Sequence, residues 1–373
     1  MDPVSFHRKY KGKLATALRI PLKDKKDLSL AYTPGVAEVS LLLQKNPEEA
    51  TNLTLKGNTV AVVSDGSAVL GLGNIGPYGA LPVMEGKAAL FKKFSDIDAF
   101  PICLDTQDTE EIIRIVKAIA PNFGGINLED IASPRCFEIE ERLIEELDIP
   151  VMHDDQHGTA MVVLAALINA LKVVGKEKEK VEVVINGVGA AGTAVAELLL
   201  EYGVKNIILC DSQGIISKKR EGLTPKKIKL AELTNLKNKS GGLIDAIRES
   251  DVFIGVSSGN LVNSSMIKSM NSDAIIFAMA NPVPEIMPKE ALAAGAKVVA
   301  SGRSDFDNQI NNVLAFPGIF RGALDNNVKR ITNKMLIAAA INLAGVVKNP
   351  TEEKIIPSPF DKGVVGAVSA AIK

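Results

Sequence analysis

Tryptophan is absent from the 373 residues, and histidine and cysteine occur three times each. With only His7, His153 and His157 to supply imidazole, a zinc centre of the His/Cys type is nearly excluded, and any metal must take oxygen ligands. Cys103, Cys136 and Cys210 are odd in number, show no CxxC spacing and sit in apolar segments. They are expected to be reduced core residues, neither disulfides nor soft-metal ligands. An excess of one charge is missing too: 43 basic residues stand against 44 acidic ones, with no long basic stripe interleaved with aromatics, which excludes nucleic acid as the main partner. The most apolar run, AMVVLAALINALKVV over 160–174, falls short of the roughly 20 residues that a membrane span needs and carries Asn169 and Lys172. It reads as a buried helix. The N-terminus, MDPVSFHRKYKGK, has no apolar stretch followed by a small-residue cleavage site, so a cytoplasmic protein is expected.

What is present is a long chain, 46% hydrophobic, too long for one ordinary core. From residue 59 strand-like and helix-like segments alternate: TVAVVSD, VMEGKAALFKKF, DAFPICL, TEEIIRIVKAIA, GGINLED, SPRCFEIEERLIEEL with Pro134 in its first turn, and IPVMHDD. Repeated βα units with near-continuous apolar strands imply a parallel sheet covered on both faces. The apolar helix over 157–174 and the charged stretch GKEKEK lead into a second series, VEVVINGVGAAG, NIILCD, DVFIGVSS, AIIFAMANP and KVVASG, and the Ala-, Ile- and Val-rich tail reads as helices over about 328–346 and 362–372. The expected class is α/β, with a first α/β domain over 1–156 and a doubly wound, Rossmann-type domain with C-terminal helices over 157–373.

In VEVVINGVGAAGTAVAELLL the glycines Gly187, Gly189 and Gly192 follow an apolar strand and open an Ala/Leu helix. That context suits a dinucleotide: a tight turn, close backbone approach, and the N–H groups of Ala190, Ala191 and Gly192 facing the pyrophosphate. Asp211, at the end of NIILCD, is placed to bind ribose hydroxyls. The alternative is a glycine turn with no ligand. Asp211 favours NAD over NADP, while Lys218, Lys219 and Arg220 nearby could attract a 2′-phosphate.

The first half offers chemistry on turns. Tyr32 precedes a Thr-Pro-Gly turn and is by itself an ordinary half-buried tyrosine. Lys87 follows Glu85-Gly86 near the front of a helix, where a solvated lysine is the usual explanation, as it is for Lys92 and Lys93. Glu129 and Asp130 adjoin at a strand end; taken alone they are acids at a helix start, favoured by the macrodipole. Asp154 and Asp155 stand at the next strand end. Three acids at consecutive strand ends, Glu129, Asp130 and Asp155, can converge on one hard cation, Mg²⁺ or Mn²⁺, and without a cation they would repel one another.

In order from about residue 29 to 322, AYTPGVAEVS, VMEGKAALFKKFSDIDAFPICL, INLEDIASPRCFEIE, HDDQHGTA, NGVGAAG, AMANPVPEI and NNVLAFPG resemble the malic enzyme family in its compact bacterial and archaeal form. The resemblance implies metal-dependent oxidative decarboxylation of L-malate to pyruvate and CO₂ with NAD or NADP, in a homodimer or homotetramer. It assigns Glu129, Asp130 and Asp155 to the metal, Lys87 to the general base, Tyr32 to the general acid and Asp154 to a tuning acid. Asn281 and Asn312, with Asn311 as a neighbour, would hold the substrate carboxylate near the nicotinamide. Larger members carry an arginine before the glycine-rich loop that binds a malate carboxylate; GSAVLGLGNIG has none, and loop N–H groups around Gly71–Gly76 are the expected substitute. As a base Lys87 would have to lie several units below the ordinary lysine value. The rival readings are a metal-independent dehydrogenase with a lysine base, a nucleotide sensor without turnover, and malolactic chemistry releasing lactate. VAEVSLLL and the Ala-rich C-terminal helices are the expected subunit contacts.

Overall fold

The structure, a computed structural model, describes residues 2–69 and 71–373. Four helices, α1 (Pro3–Tyr10), α2 (Lys25–Ala31), α3 (Val36–Lys45) and α4 (Ala50–Leu53), come first, and none of them buries a residue. The chain then enters β1 (Thr59–Ser64), buried along its whole length, as the run TVAVVS requires of a strand covered on both faces. Next come α5 (Gly76–Ser95), β2 (Asp98–Cys103), α6 (Thr109–Ile119), β3 (Gly125–Leu128), α7 (Arg135–Glu146), β4 (Val151–His153) and α8 (Asp154–Val174). The four strands are parallel in the order β2-β1-β3-β4. The order reverses between β1 and β3, the position at which open α/β sheets leave a crevice beyond their carboxyl ends.

Boundaries that matter to the site differ from the sequence reading at α5 and α8. Helix α5 begins at Gly76 rather than near Val83, with Pro77 in its first turn, where a missing N–H costs nothing. Asp154 and Asp155 are helical: β4 ends at His153 and both acids open α8. Cys136 and Cys210 are buried as expected, but Cys103 is only partly so, because it ends the sheet's edge strand.

The second unit comprises β5 (Glu182–Asn186), α9 (Ala190–Tyr202), β6 (Asn206–Asp211), β7 (Gly214–Ile215), α10 (Pro225–Leu233), α11 (Leu243–Ile247), β8 (Val252–Gly255), α12 (Ser264–Lys268), β9 (Ile275–Ala278), α13 (Pro288–Ala293) and β10 (Val298–Ser301). Its sheet order is β10-β9-β8-β5-β6-β7, doubly wound about β5 and β8 and parallel except for β7, which runs antiparallel to β6. Two residues are too few to show a periodicity, so β7 has no sequence signature.

The tail, α14 (Phe316–Asp325), α15 (Asn333–Ala344) and α16 (Val364–Ser369), packs back on the body. Phe91 of α5 meets Phe316 and Phe320 of α14 at ring-centroid distances of 4.6 and 5.6 Å. Helix α8 is 21 residues long, long and apolar enough to cross a membrane, yet most of it is buried inside the body. It lies in one continuous core with Val60 and Met84 of the first unit and Val183 and Ile254 of the second. Its buried Asn169 donates to the carbonyls of Ala344 and Ile355, at 2.9 Å each.

Replacing Asn169→Leu removes both donors from a buried site and is expected to cost about 1–3 kcal/mol. The check is a urea titration, in which the midpoint should fall at unchanged slope.

Candidate active site

The acids converge because the backbone leaves strand geometry at the right residue. Glu129 still pairs with β1, its N–H donating to Val63 at 2.9 Å, whereas Asp130 adopts a left-handed φ of +54°. That turn frees two adjacent side chains from pointing to opposite faces. The Asp130 N–H donates to the Asp155 carboxylate at 2.8 Å, joining the exit of β3 to the first turn of α8. One carboxylate oxygen from each of Glu129, Asp130 and Asp155 lies within 4.8 Å of the others. Three hard oxygens at that spacing fit a divalent cation. Burial, opposed by Lys87, raises the Glu129 carboxyl, and it pushes Asp155 to about 6 and Asp154 to about 7. Burial is the largest cause of each shift, and Lys87 opposes it.

Lys87 brings a positive charge to the acids. It lies on the inner face of α5, not the solvated one, while Lys92 and Lys93 are exposed. Its Nζ is 2.7 Å from Asp154 Oδ2, 2.8 Å from Glu129 Oε1 and 4.3 Å above the centre of the Phe316 ring. The expected depression of its pKa is not what the chain alone produces: burial lowers it, but Asp154, Glu129 and Asp155 outweigh burial and hold it above the ordinary lysine value. Only charge placed among the acids would reverse that balance.

Three supporting residues escaped the sequence reading. Glu140, on the buried face of α7 with Cys136, Ile139 and Leu143, accepts the His153 N–H at 2.6 Å, Gln156 Nε2 at 2.9 Å and bonds His157 Nε2 at 3.1 Å. It fixes the turn that carries Asp154 and Asp155. An acid on an apolar helical face was the available signal. Asn127, one strand step before Leu128, donates to Glu129 Oε2 at 3.0 Å. Gly158 makes room: a Cβ there would stand 1.8 Å from Asp154 Oδ1.

The loop after β1 bonds largely to itself. The N–H groups of Leu72 and Gly73 donate to Val69, and those of Ile75 and Gly76 to Gly66, so four candidate donors for a carboxylate are spent within the loop. Asp65, bound by Arg135 Nη2 at 2.7 Å, anchors it to α7. Gly71 brings it against the second unit, since a Cβ there would stand 2.1 Å from the Asn281 carbonyl.

The glycines after β5 divide their work. Gly187 takes φ +108° and its N–H binds the Cys210 carbonyl at 2.8 Å. A Cβ on Gly192 would stand 1.7 Å from the Gly187 carbonyl, so helix and turn pack at glycine distance. Gly189 faces open space, its nearest neighbour being Ser133 Oγ at 3.9 Å from a Cβ position. These geometries fit a dinucleotide pyrophosphate over the start of α9, at Ala190 and Ala191. The cleft of about 430 Å³ between the units is lined by Asp155 and Ser133 on one side and by Ala190, Ala191, Asn281 and Asn312 on the other. Asn311 also reaches it, though its Oδ1 accepts the Val313 N–H at 2.9 Å. Tyr32 is 66% exposed, and Asp211 is held by Arg220 and Lys227.

An acid cluster with a buried lysine on one parallel sheet, facing a doubly wound dinucleotide unit across a shared cleft, defines an α/β oxidoreductase that uses a nicotinamide coenzyme. Within that class the chain belongs to the malic enzyme family: residues 11–144 match the malic enzyme N-terminal domain and residues 156–362 the malic enzyme NAD binding domain. It is 58% identical to an NAD-dependent malic enzyme of Geobacillus stearothermophilus, over 97% of this chain and 76% of that protein. A bifunctional malic/malolactic enzyme of Bacillus subtilis is 53% identical over 100% of this chain and 91% of its own length. The crystal structure of an NAD-dependent malic enzyme from Thermotoga maritima superposes with a TM-score of 0.97 at 53% identity, covering 100% of this chain and 99% of the other.

Glu140→Ala strips three donors of their buried acceptor and should lower stability by about 2–4 kcal/mol, with Glu140→Gln recovering part of the loss. Calorimetric titration with Mn²⁺ should show weaker binding in both variants.

Proposed function

We propose that the protein oxidatively decarboxylates L-malate to pyruvate and CO₂ while reducing a nicotinamide coenzyme, with a divalent cation, Mg²⁺ or Mn²⁺, held by Glu129, Asp130 and Asp155. Residues 1–156 supply the acids and the lysine, and residues 157–373 carry the coenzyme. The carrying observation is that Asp155 and the start of α9, at Ala190 and Ala191, open on one cleft with Asn281, Asn311 and Asn312. The cation would polarise the malate C2 hydroxyl and offset the charges that hold Lys87 protonated. Lys87 then takes the hydroxyl proton as hydride leaves C2 for the coenzyme, and Asp154, 2.7 Å away, shares that proton. Asn281 and Asn312, with Asn311 beside them, hold the substrate carboxylate. Loss of CO₂ leaves an enolate carbon that a general acid must protonate.

Tyr32 is the acid, delivered from a second copy of the chain. Among the described residues its phenol makes no hydrogen bond, and Leu28, Leu30, Leu41 and Leu42 are exposed on α2 and α3, neither of which buries a residue. Such a row of apolar side chains suits a subunit contact, and the protein is accordingly a homodimer or a dimer of dimers.

Malate, Mn²⁺ and coenzyme should yield reduced coenzyme and pyruvate, with turnover abolished by a chelator. Lactate as the product would favour the malolactic alternative, and persistence without metal would favour a lysine-base dehydrogenase. Lys87→Ala should lose about 10²–10⁴-fold in kcat with coenzyme binding retained. Mixing inactive Lys87→Ala and Tyr32→Phe proteins should restore activity, because mixed dimers hold one site with both native groups; no recovery in verified mixed dimers would place Tyr32 in its own chain's site.

A further inference from the structure

The exit of β6 holds more positive charge than one acid balances. Asp211 ends the strand, one residue after the carbonyl that binds the Gly187 N–H, and so lies beside the adenosine ribose of a dinucleotide laid over that turn. Segment 218–229 contains Lys218, Lys219, Arg220, Lys226, Lys227 and Lys229 against the single acid Glu221. Lys226 is taken by Glu197 at 2.7 Å. Arg220 and Lys227 turn inward instead. Arg220 Nη2 is 2.7 Å from Asp211 Oδ1 and 2.8 Å from Oδ2, Lys227 Nζ is 2.6 Å from Oδ2, and the Gln213 N–H donates to Oδ1 at 3.0 Å.

A carboxylate has about four lone-pair sites, and these four contacts fill them. A ribose 2′-hydroxyl arriving at Asp211 must therefore displace a cation before it can donate. A 2′-phosphate arriving at the same place meets a guanidinium fork and an ammonium, each able to exchange a carboxylate for an oxyanion with about twice the charge. The acid that ordinarily selects against phosphate is thus neutralised in advance by the groups that would bind it.

We propose, building on the coenzyme reading above, that Arg220 and Lys227 are specificity-determining residues which, by engaging Asp211, open the site to a 2′-phosphorylated coenzyme, so that the protein takes NADP as well as NAD. With NADP the two cations transfer from Asp211 to the phosphate. With NAD one of them swings away and the 2′-hydroxyl donates to Asp211.

The test is direct binding without malate or metal, using NADH and NADPH fluorescence and calorimetry with 2′,5′-ADP and 5′-AMP. NADPH should bind within about tenfold of NADH, and 2′,5′-ADP more tightly than 5′-AMP, with the gap narrowing as salt rises. Arg220→Gln and Lys227→Gln should each weaken NADPH and 2′,5′-ADP by about tenfold and leave NADH unchanged or tighter, since Asp211 is released. Asp211→Asn should shift preference toward NADPH. Retained NADH binding certifies the fold of each variant. NADH binding with no NADPH binding in the native protein overturns the proposal and leaves the malic enzyme reading standing, as does an equal effect of both variants on the two coenzymes. Failure of both dinucleotides to bind overturns the two together.

Discussion

The arrangement depends on a charge imbalance held in a buried place. Glu129, Asp130, Asp154 and Asp155 stand at the exits of two neighbouring strands, and Lys87 on α5 pairs with Glu129 and Asp154. Carboxylates buried so close cannot all ionise without positive charge among them. The lysine is bound to two of them and stacked on Phe316, which fixes its position but also keeps it protonated. The same crowding suits the acid cluster to a cation and ties the lysine's basicity to the charge around it.

Holding those charges together requires a frame that crosses both units. Helix α8 begins with Asp154 and Asp155 at the end of β4 and continues into the core beneath the dinucleotide sheet. Glu140 secures its first turn, and Asn169 secures its far end to the C-terminal tail. The loop after β1 reaches across from the other side, with Gly71 against Asn281. The cleft is therefore bounded by elements that belong to one unit by sequence and touch both in space.

Much of this was legible in the residues. The alternation of apolar runs and amphipathic helices announced two parallel sheets, and glycine spacing after an apolar strand announced the dinucleotide turn. Glu129, Asp130 and Asp155 were readable as a set because strand ends recur at known intervals. What was not readable depended on partners distant in sequence. Lys87 looks like any lysine on a helix until α8 brings Asp154 to it, and Asp211 looks like a ribose acceptor until Arg220 and Lys227 close on it. Glu140 needed only the observation that an acid occupied an apolar face.

The sequence by itself determined the class of fold, the family and the identity of the chemical groups, because periodicity, turn residues and local motifs are properties of neighbours along the chain. The tertiary structure decided the state of those groups. Whether a lysine is solvated or buried and whether an aspartate is free to accept a hydroxyl both follow from burial and from charges that meet only on folding. Coulomb interaction and desolvation act through space, and no spacing along the chain encodes them.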